Sequence, residues 1–288
     1  MRVCVVVPSL ALAGCAMGAH EVDPPGPPDA ATADNGSDSH GSGDAGSGSG
    51  SDTPPAPHEV PLLLSEISLG PAGHEYIEIV NPTAFAVPLV DLYLCDNGNY
   101  FKLPAGVPAL TSGDFLVKFP PNDIVAAHAV ITIATDTAAN FTAAYGVAPT
   151  YSIADASLTV VTAQQQTLTD SGEVVVLFQW DGAAPLVHDV DIMIAGVPTA
   201  GNTIVSKSGY AQLANAYQAD AMSIAAQPTA PGSGKSTKRI ALEAGHETQG
   251  GNGNGVSGDD ETSEQTGSTW DTTFGAPTPG QVPAALLQ

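Results

Sequence analysis

Thirty acidic residues against seven basic ones give this 288-residue chain a formal net charge of −23. A surface of that sign repels phosphate backbones and anionic bilayers, which excludes direct nucleic-acid binding and leaves divalent cations or partners with a basic face as charged ligands. The length allows one large domain or two small ones.

In chain order, Arg2 is followed by an apolar run from Val3 to Leu12, broken only by Pro8, and then by the small residues Ala13 and Gly14 before Cys15. A basic start, an apolar stretch and small residues describe an export signal, residues 1–14. The run is shorter than the roughly 20 apolar residues a bilayer-spanning helix needs, and no later stretch is long enough. Residues 15–58 are rich in Pro, Gly, Ser and Asp and hold almost no large apolar side chains, so they are expected to form a disordered tether. As a flexible coil its r.m.s. reach is about 35–40 Å.

The Leu12-Ala13-Gly14-Cys15 segment resembles the lipobox that closes the signal peptide of bacterial lipoproteins. The resemblance implies cleavage before Cys15 and acylation of its thiol and new amino group. Cys15 then becomes the lipid-attachment residue, and the protein is exported and held at a membrane, the outer membrane or cell surface. A plain secretory signal that happens to contain a cysteine is the alternative. Cys4 lies in the signal, so Cys95 is the one thiol left in the mature domain. No intrachain disulfide is then available, and the fold must rest on a packed core.

From about residue 59 the text becomes a series of short β-branched and aromatic runs separated by Gly, Pro, Asn or Asp: 62–67, 75–80, 87–94, 115–119, 129–134 and 173–180. Weaker strands are predicted at 158–161, 186–194 and 203–205. Helices are predicted at 137–145 and at 209–222, where Tyr210, Leu213, Ala214 and Tyr217 are spaced to share one face. Residues 246–268 read as a long exposed loop, and Trp270 and Phe274 as a return to the core. The expectation is an all-β sandwich over 59–282 with short helical insertions and a C-terminal tail at 283–288.

Leu64-Ser65-Glu66-Ile67, Gly73-His74-Glu75-Tyr76-Ile77-Glu78-Ile79-Val80-Asn81-Pro82 and Val87 to Leu94 together resemble a lamin tail domain. The similarity continues through Phe119-Pro120, Phe141…Tyr145-Gly146, Leu168 to Leu177 and Trp270…Pro277-Thr278-Pro279-Gly280. It implies an immunoglobulin-like β-sandwich with a binding or scaffolding role and supplies no catalytic residues. The chain departs from that pattern by extra material between about 196 and 268. In the first block Glu66, Glu78 and Asn81 are read as structural, with Asn81 ending a strand through side-chain-to-backbone bonds.

Candidate chemistry is sparse. His188-Asp189-Val190-Asp191 places Asp189 and Asp191 on one face of an extended strand, about 7 Å apart, where each would offer an oxygen to Ca²⁺. The plainer reading is a pair of exposed edge-strand charges. Pro231-Gly232-Ser233-Gly234-Lys235-Ser236-Thr237 is only a partial phosphate-loop pattern: its first glycine position is Thr229, and Pro231 removes an N–H from the cradle. Gly250 to Val256 matches one turn of a calcium-binding repeat, with glycine where the key aspartate belongs. The seven histidines are scattered without zinc spacing. The expectation is therefore a non-enzymatic display domain with no cofactor other than the candidate Ca²⁺. Its partners are the membrane through lipidated Cys15 and an envelope or extracellular protein or glycan. An exported hydrolase or carbohydrate-active enzyme, its site assembled from distant residues, is the alternative.

Overall fold

Alternation puts Ile77 and Ile79 on one face of an extended segment and Tyr76, Glu78 and Val80 on the other, and that segment is the middle strand of one of two facing sheets. The computed structural model describes residues 60–196, 207, 211–212, 215–216, 231–242 and 266–288. The chain divides into two units, 1–54 and 55–288, and every described residue falls in the second.

The early strands are β1 Leu63–Ser68, β2 Tyr76–Val80, β3 Val87–Pro88, β4 Leu92–Cys95, β5 Phe115–Lys118, β6 Ile124–Val125 and β7 Val130–Ala134. After helix α1 (Ala138–Tyr145) come β8 Tyr151–Ser152, β9 Thr159–Ala163, β10 Gly172–Gln179 and β11 His188–Gly196. The short pieces β12 Ala211–Gln212, β13 Asn215–Ala216 and β14 Thr237–Lys238 follow, then helix α2 Thr266–Thr269. Sheet one has the order β14-β1-β2-β7-β8, and sheet two the order β11-β10-β4-β5-β9. Every pairing is antiparallel except β7 with β8. The protein is an all-β sandwich.

The core between the sheets holds Leu64, Ile67, Ile77 and Ile79 from one side and Leu94, Phe115, Val117, Val175 and Leu177 from the other, with Trp270 packed among them. Sheet two is also covered on its outer face, where Tyr93, Val174, Val176 and Phe178 meet a 3-10 turn at Tyr100–Ala105 and Leu186 and Val187. Burial on both faces explains why Val174 to Phe178 is an unbroken apolar run rather than an alternating one.

The outer face of sheet one carries an aromatic cluster, Tyr76 against Phe141 and Tyr145 of α1, beside buried acids. Glu66 and Glu78 are buried there because the C-terminal segment folds over them. Thr278 N–H donates to Glu66 Oε1 at 2.9 Å, and Gly280 N–H to Glu78 Oε2 at 2.5 Å. Residues 283–288, expected as a tail, belong to the fold: Leu286 is buried and Gln288 N–H donates to Pro82 O at 2.8 Å.

Asn81 ends β2 by accepting from Thr83 N–H at 3.0 Å and donating to the carbonyls of Phe85, Val125 and Ala126 at 2.7–3.1 Å. Its amide replaces ladder bonds that Pro82 interrupts. The helix predicted at 137–145 is α1, with Thr137 Oγ1 accepting from Asn140 N–H and Gly146 in the left-handed cap conformation.

The helix predicted at 209–222 is a correction. Ala211 pairs with Ala216 and Gln212 with Asn215 in an antiparallel hairpin, a pairing that a continuous helix forbids. Alanine content is a weak prior that tertiary context overrides. The strand predicted over 87–94 is two strands in different sheets, broken at Asp91, whose φ is +58°. The strand predicted at 203–205 and the loop at 246–265 lie outside the described residues.

Candidate functional site

The β10–β11 connection, residues 180–187, opens a cleft of about 260 Å³ at the edge of sheet two, lined by Asp91, Gln179, Trp180, Asp181, Leu186 and His188. Each polar group is set by a local rule. Asp181 and Gly182 form the turn: Asp181 Oδ1 accepts from Ala183 N–H at 2.8 Å and Ala184 N–H at 2.7 Å, and Gly182 takes φ +84°. Those two N–H groups hold the Asp181 carboxyl below its ordinary value. The half-buried Trp180 is fixed by its indole N–H, which donates to Ala184 O at 2.8 Å, and by its backbone N–H, which donates to Asp91 O at 2.9 Å.

Behind Trp180 lies a run of rings. Tyr93 is 6.2 Å from Trp180 and stacks on Phe178 at 5.2 Å, centroid to centroid. Lys118 sits 5.0 Å over the Tyr93 ring and reaches Asp91 Oδ1 at 2.9 Å. The cleft therefore combines an aromatic floor, two carboxylates that each keep one oxygen unbonded among the described residues, an amide and an imidazole. The sequence reading named His188, at the head of the Asp189 and Asp191 pair, but not the group around it. The available signal was a tryptophan immediately before an Asp-Gly turn at the end of a buried strand.

Asp189 and Asp191 do not share a face, a correction to the strand geometry assumed for them. Leu177 pairs with Asp191 and Phe178 with Asp189, so Val190 is an extra residue in β11, a bulge that reverses the alternation. Asp189 turns outward, where Tyr100 Oη donates to Oδ1 at 2.8 Å and Lys207 Nζ bonds Oδ2. Asp191 turns into the core, where Arg239 Nη2 donates to both its oxygens at 2.8 and 2.7 Å. Both aspartates and both cations are buried, so they are ion pairs in the fold rather than exposed edge charges.

A second cleft, of about 120 Å³, is lined by Glu75, Asp136, Gln165 and Gln166. Burial pushes the Glu75 carboxyl up to about 7, against the Thr135 hydroxyl that donates to it at 3.0 Å. Deeper in the fold, Asp96 and Glu173 are buried carboxyls, with Asp114 beside both. Glu173 is pushed to about 7 chiefly by burial, and Asp96 well above the carboxylate range by burial and then by Glu173. Asp96 Oδ1 accepts Phe115 N–H at 2.6 Å, while Oδ2 has no hydrogen-bond partner.

The phosphate-loop-like segment directs its N–H groups inward to carbonyls. Gly234 donates to Gly70, Lys235 to Gly232 and Ser236 to Gly275, so no cradle of free donors exists there. Cys95 is buried, and desolvation pushes its thiol well up, the opposite of an activated thiolate. His188 lines the first cleft, whereas the His74 ring lies against Tyr145. Among the described residues no group of three or more His, Cys, Asp or Glu is placed to hold a metal ion, and no helix is long and apolar enough to cross a membrane. Cys15 and Gly250 to Val256 lie outside the described residues.

No family model matches the sequence, and no curated protein does. Among solved structures, the chain is similar to a DUF4876 family protein from Bacteroides thetaiotaomicron at 14% identity and a TM-score of 0.42, over 78% of this chain and 74% of that one.

Proposed function

We propose that this protein is exported, lipid-anchored through Cys15, and displays a binding or scaffolding β-sandwich in the cell envelope. The observation that carries the reading is Leu12-Ala13-Gly14-Cys15 closing an apolar run after Arg2. The composition of 16–58 suits a spacer between anchor and domain. The lamin-tail reading is supported by what its most specific block does. Glu66 and Glu78 accept hydrogen bonds from the Thr278 to Gly280 segment, and Asn81 closes the turn after β2, so the residues of the resemblance bind to one another rather than to a substrate.

Cys15→Ser is the direct test. In cells expressing the full chain, the variant is expected to move from the membrane fraction to the soluble exported fraction and to lose incorporation of a labelled fatty acid. Unchanged membrane fractionation would refute the anchor.

The hydrolase reading has one observation in its favour: Glu75, a carboxyl raised to about 7 at the wall of a cleft, the protonation state a general acid needs. Glycosidase and esterase assays on the full chain and on Glu75→Gln separate the two readings. Turnover lost in the variant establishes the enzyme, and no turnover in either leaves the display domain.

A further inference from the structure

We propose that the cleft at the β10–β11 loop is a binding site for a neutral saccharide, with Trp180 as its stacking surface and Gln179, Asp91 and Asp181 as its hydroxyl acceptors. This names the ligand class for the display domain proposed above and rests on that reading.

The chemistry follows from what each group has left to offer. A pyranose presents an apolar C–H face edged by hydroxyls, and its recognition calls for a fixed aromatic ring beside planar oxygen acceptors. Trp180 is fixed, since its indole N–H is held by Ala184 O and its ring lies against Tyr93, so ordering it on binding carries little entropic cost. Asp91 and Asp181 are each bonded through Oδ1, to Lys118 Nζ and to two loop N–H groups. Their Oδ2 atoms remain to accept hydroxyls. The Gln179 amide donates one long bond, 3.4 Å, to Val90 O, which leaves its oxygen as an acceptor. His188 adds a nitrogen donor or acceptor.

One of the two carboxylates is already paired with a cation. Lys118 already neutralises Asp91, and the loop N–H groups and His188 already stabilise the Asp181 anion. What remains is one carboxylate paired with a lysine and one held by loop N–H groups, each with an oxygen free to accept a hydroxyl, and a lysine-rich peptide tests the cationic rival. The cleft is open on one side and smaller than a drug-sized pocket, which fits the end or a short stretch of a glycan rather than an enclosed cofactor.

The chain carries two tryptophans, and Trp270 is buried in the core between the sheets, so a ligand-induced change in fluorescence reports on Trp180. The full chain and its variants are titrated by isothermal calorimetry, which reads binding with or without Trp180, against neutral hexose and N-acetylhexosamine oligosaccharides, with a lysine-rich peptide as the cationic rival. The fluorescence change is read in the parent and in Gln179→Ala. Saturable binding of at least one saccharide is expected. It should weaken about tenfold in Trp180→Ala, be largely kept in Trp180→Phe, and weaken in Gln179→Ala, whose exposed amide has no structural partner beyond Val90. Three results would overturn the proposal: no saccharide binds, binding survives Trp180→Ala, or the peptide binds at this cleft and the saccharides do not. The Cys15→Ser fractionation does not depend on the cleft, so a failure of the anchor and a failure of the saccharide site give different results.

Discussion

Replacing Arg239 by leucine is expected to destabilise the domain by about 3–5 kcal/mol, because Asp191 is left as a buried charge without its partner. Arg239 and Asp191 have no solvent-accessible side-chain surface, and their bond ties the residue after β14 of sheet one to β11 of sheet two. The guanidinium does more than neutralise. Its Nε donates to Leu64 O at 2.8 Å while Asp191 Oδ2 accepts Leu64 N–H at 2.6 Å, and its Cζ lies 5.0 Å from the Trp270 ring centroid. Leu64 pairs with Ile79 just before Ser65, the residue that the β1–β2 ladder skips, and β14 reaches only Glu66 and Ile67, so the ion pair takes up the Leu64 N–H and C=O.

That arrangement sets this pair apart from one that an apolar swap replaces freely. Asp191→Leu combined with Arg239→Leu removes both charges yet leaves Leu64 N–H and C=O unbonded in the core. The double variant should recover part of the loss and remain about 1–3 kcal/mol below the parent. Urea unfolding of the two single variants and the double variant closes the cycle. Strict additivity would show that the pair is not coupled. A double variant as stable as the parent would show that Leu64 finds other partners.

The parts of this structure that were legible in the sequence are those where one physical signal acts alone. β-branched runs such as Ile77-Glu78-Ile79-Val80 make strands, and this one is buried on both faces. Asn81 before Pro82 has few backbone options and takes the turn. Thr137 and Gly146 bracket a short helix because one caps with a hydroxyl and the other tolerates positive φ.

What was not legible depends on partners far along the chain. Thr237-Lys238 follows a Gly- and Ser-rich stretch and has no strand signal of its own, but β1 offers it an open edge. A single extra residue, Val190, separates Asp189 from Asp191, and nothing local announces it. Each aspartate then finds a cation, Lys207 or Arg239, from the region the resemblance left undefined. The first cleft was hidden for the same reason: Asp91 reaches it from the start of β4, and Trp180 to His188 from the β10–β11 loop.

Lowering the pH from 8 to 5 is expected to raise the thermal midpoint of this domain, the reverse of the usual acid destabilisation. Glu75, Glu78 and Glu173 each move from an ordinary 4.5 to about 7, in every case chiefly because burial disfavours the anion. Asp96 is raised further, and its unpartnered Oδ2 is the atom where a proton would reside. Between pH 4.5 and 7 the folded state thus holds more protons than the unfolded chain, and stability falls as pH rises. The contribution is fully present below about 4.5 and is lost as pH climbs through 7.

A shift of that size corresponds to about 3 kcal/mol for one group at full effect, enough to move the midpoint by roughly 6–12 °C in a domain of this length. Self-repulsion at a net charge of −23 acts in the same direction. Two neutral replacements separate the local carboxyls from that general field. Asp96→Asn keeps the acceptor for Phe115 N–H, and Glu75→Gln keeps one for the Thr135 hydroxyl. Each is expected to gain stability at pH 8 and to flatten the curve between pH 5 and 8. A midpoint that rises toward pH 8, or variants that leave the slope unchanged, would mean that these carboxyls are ionised in the folded protein.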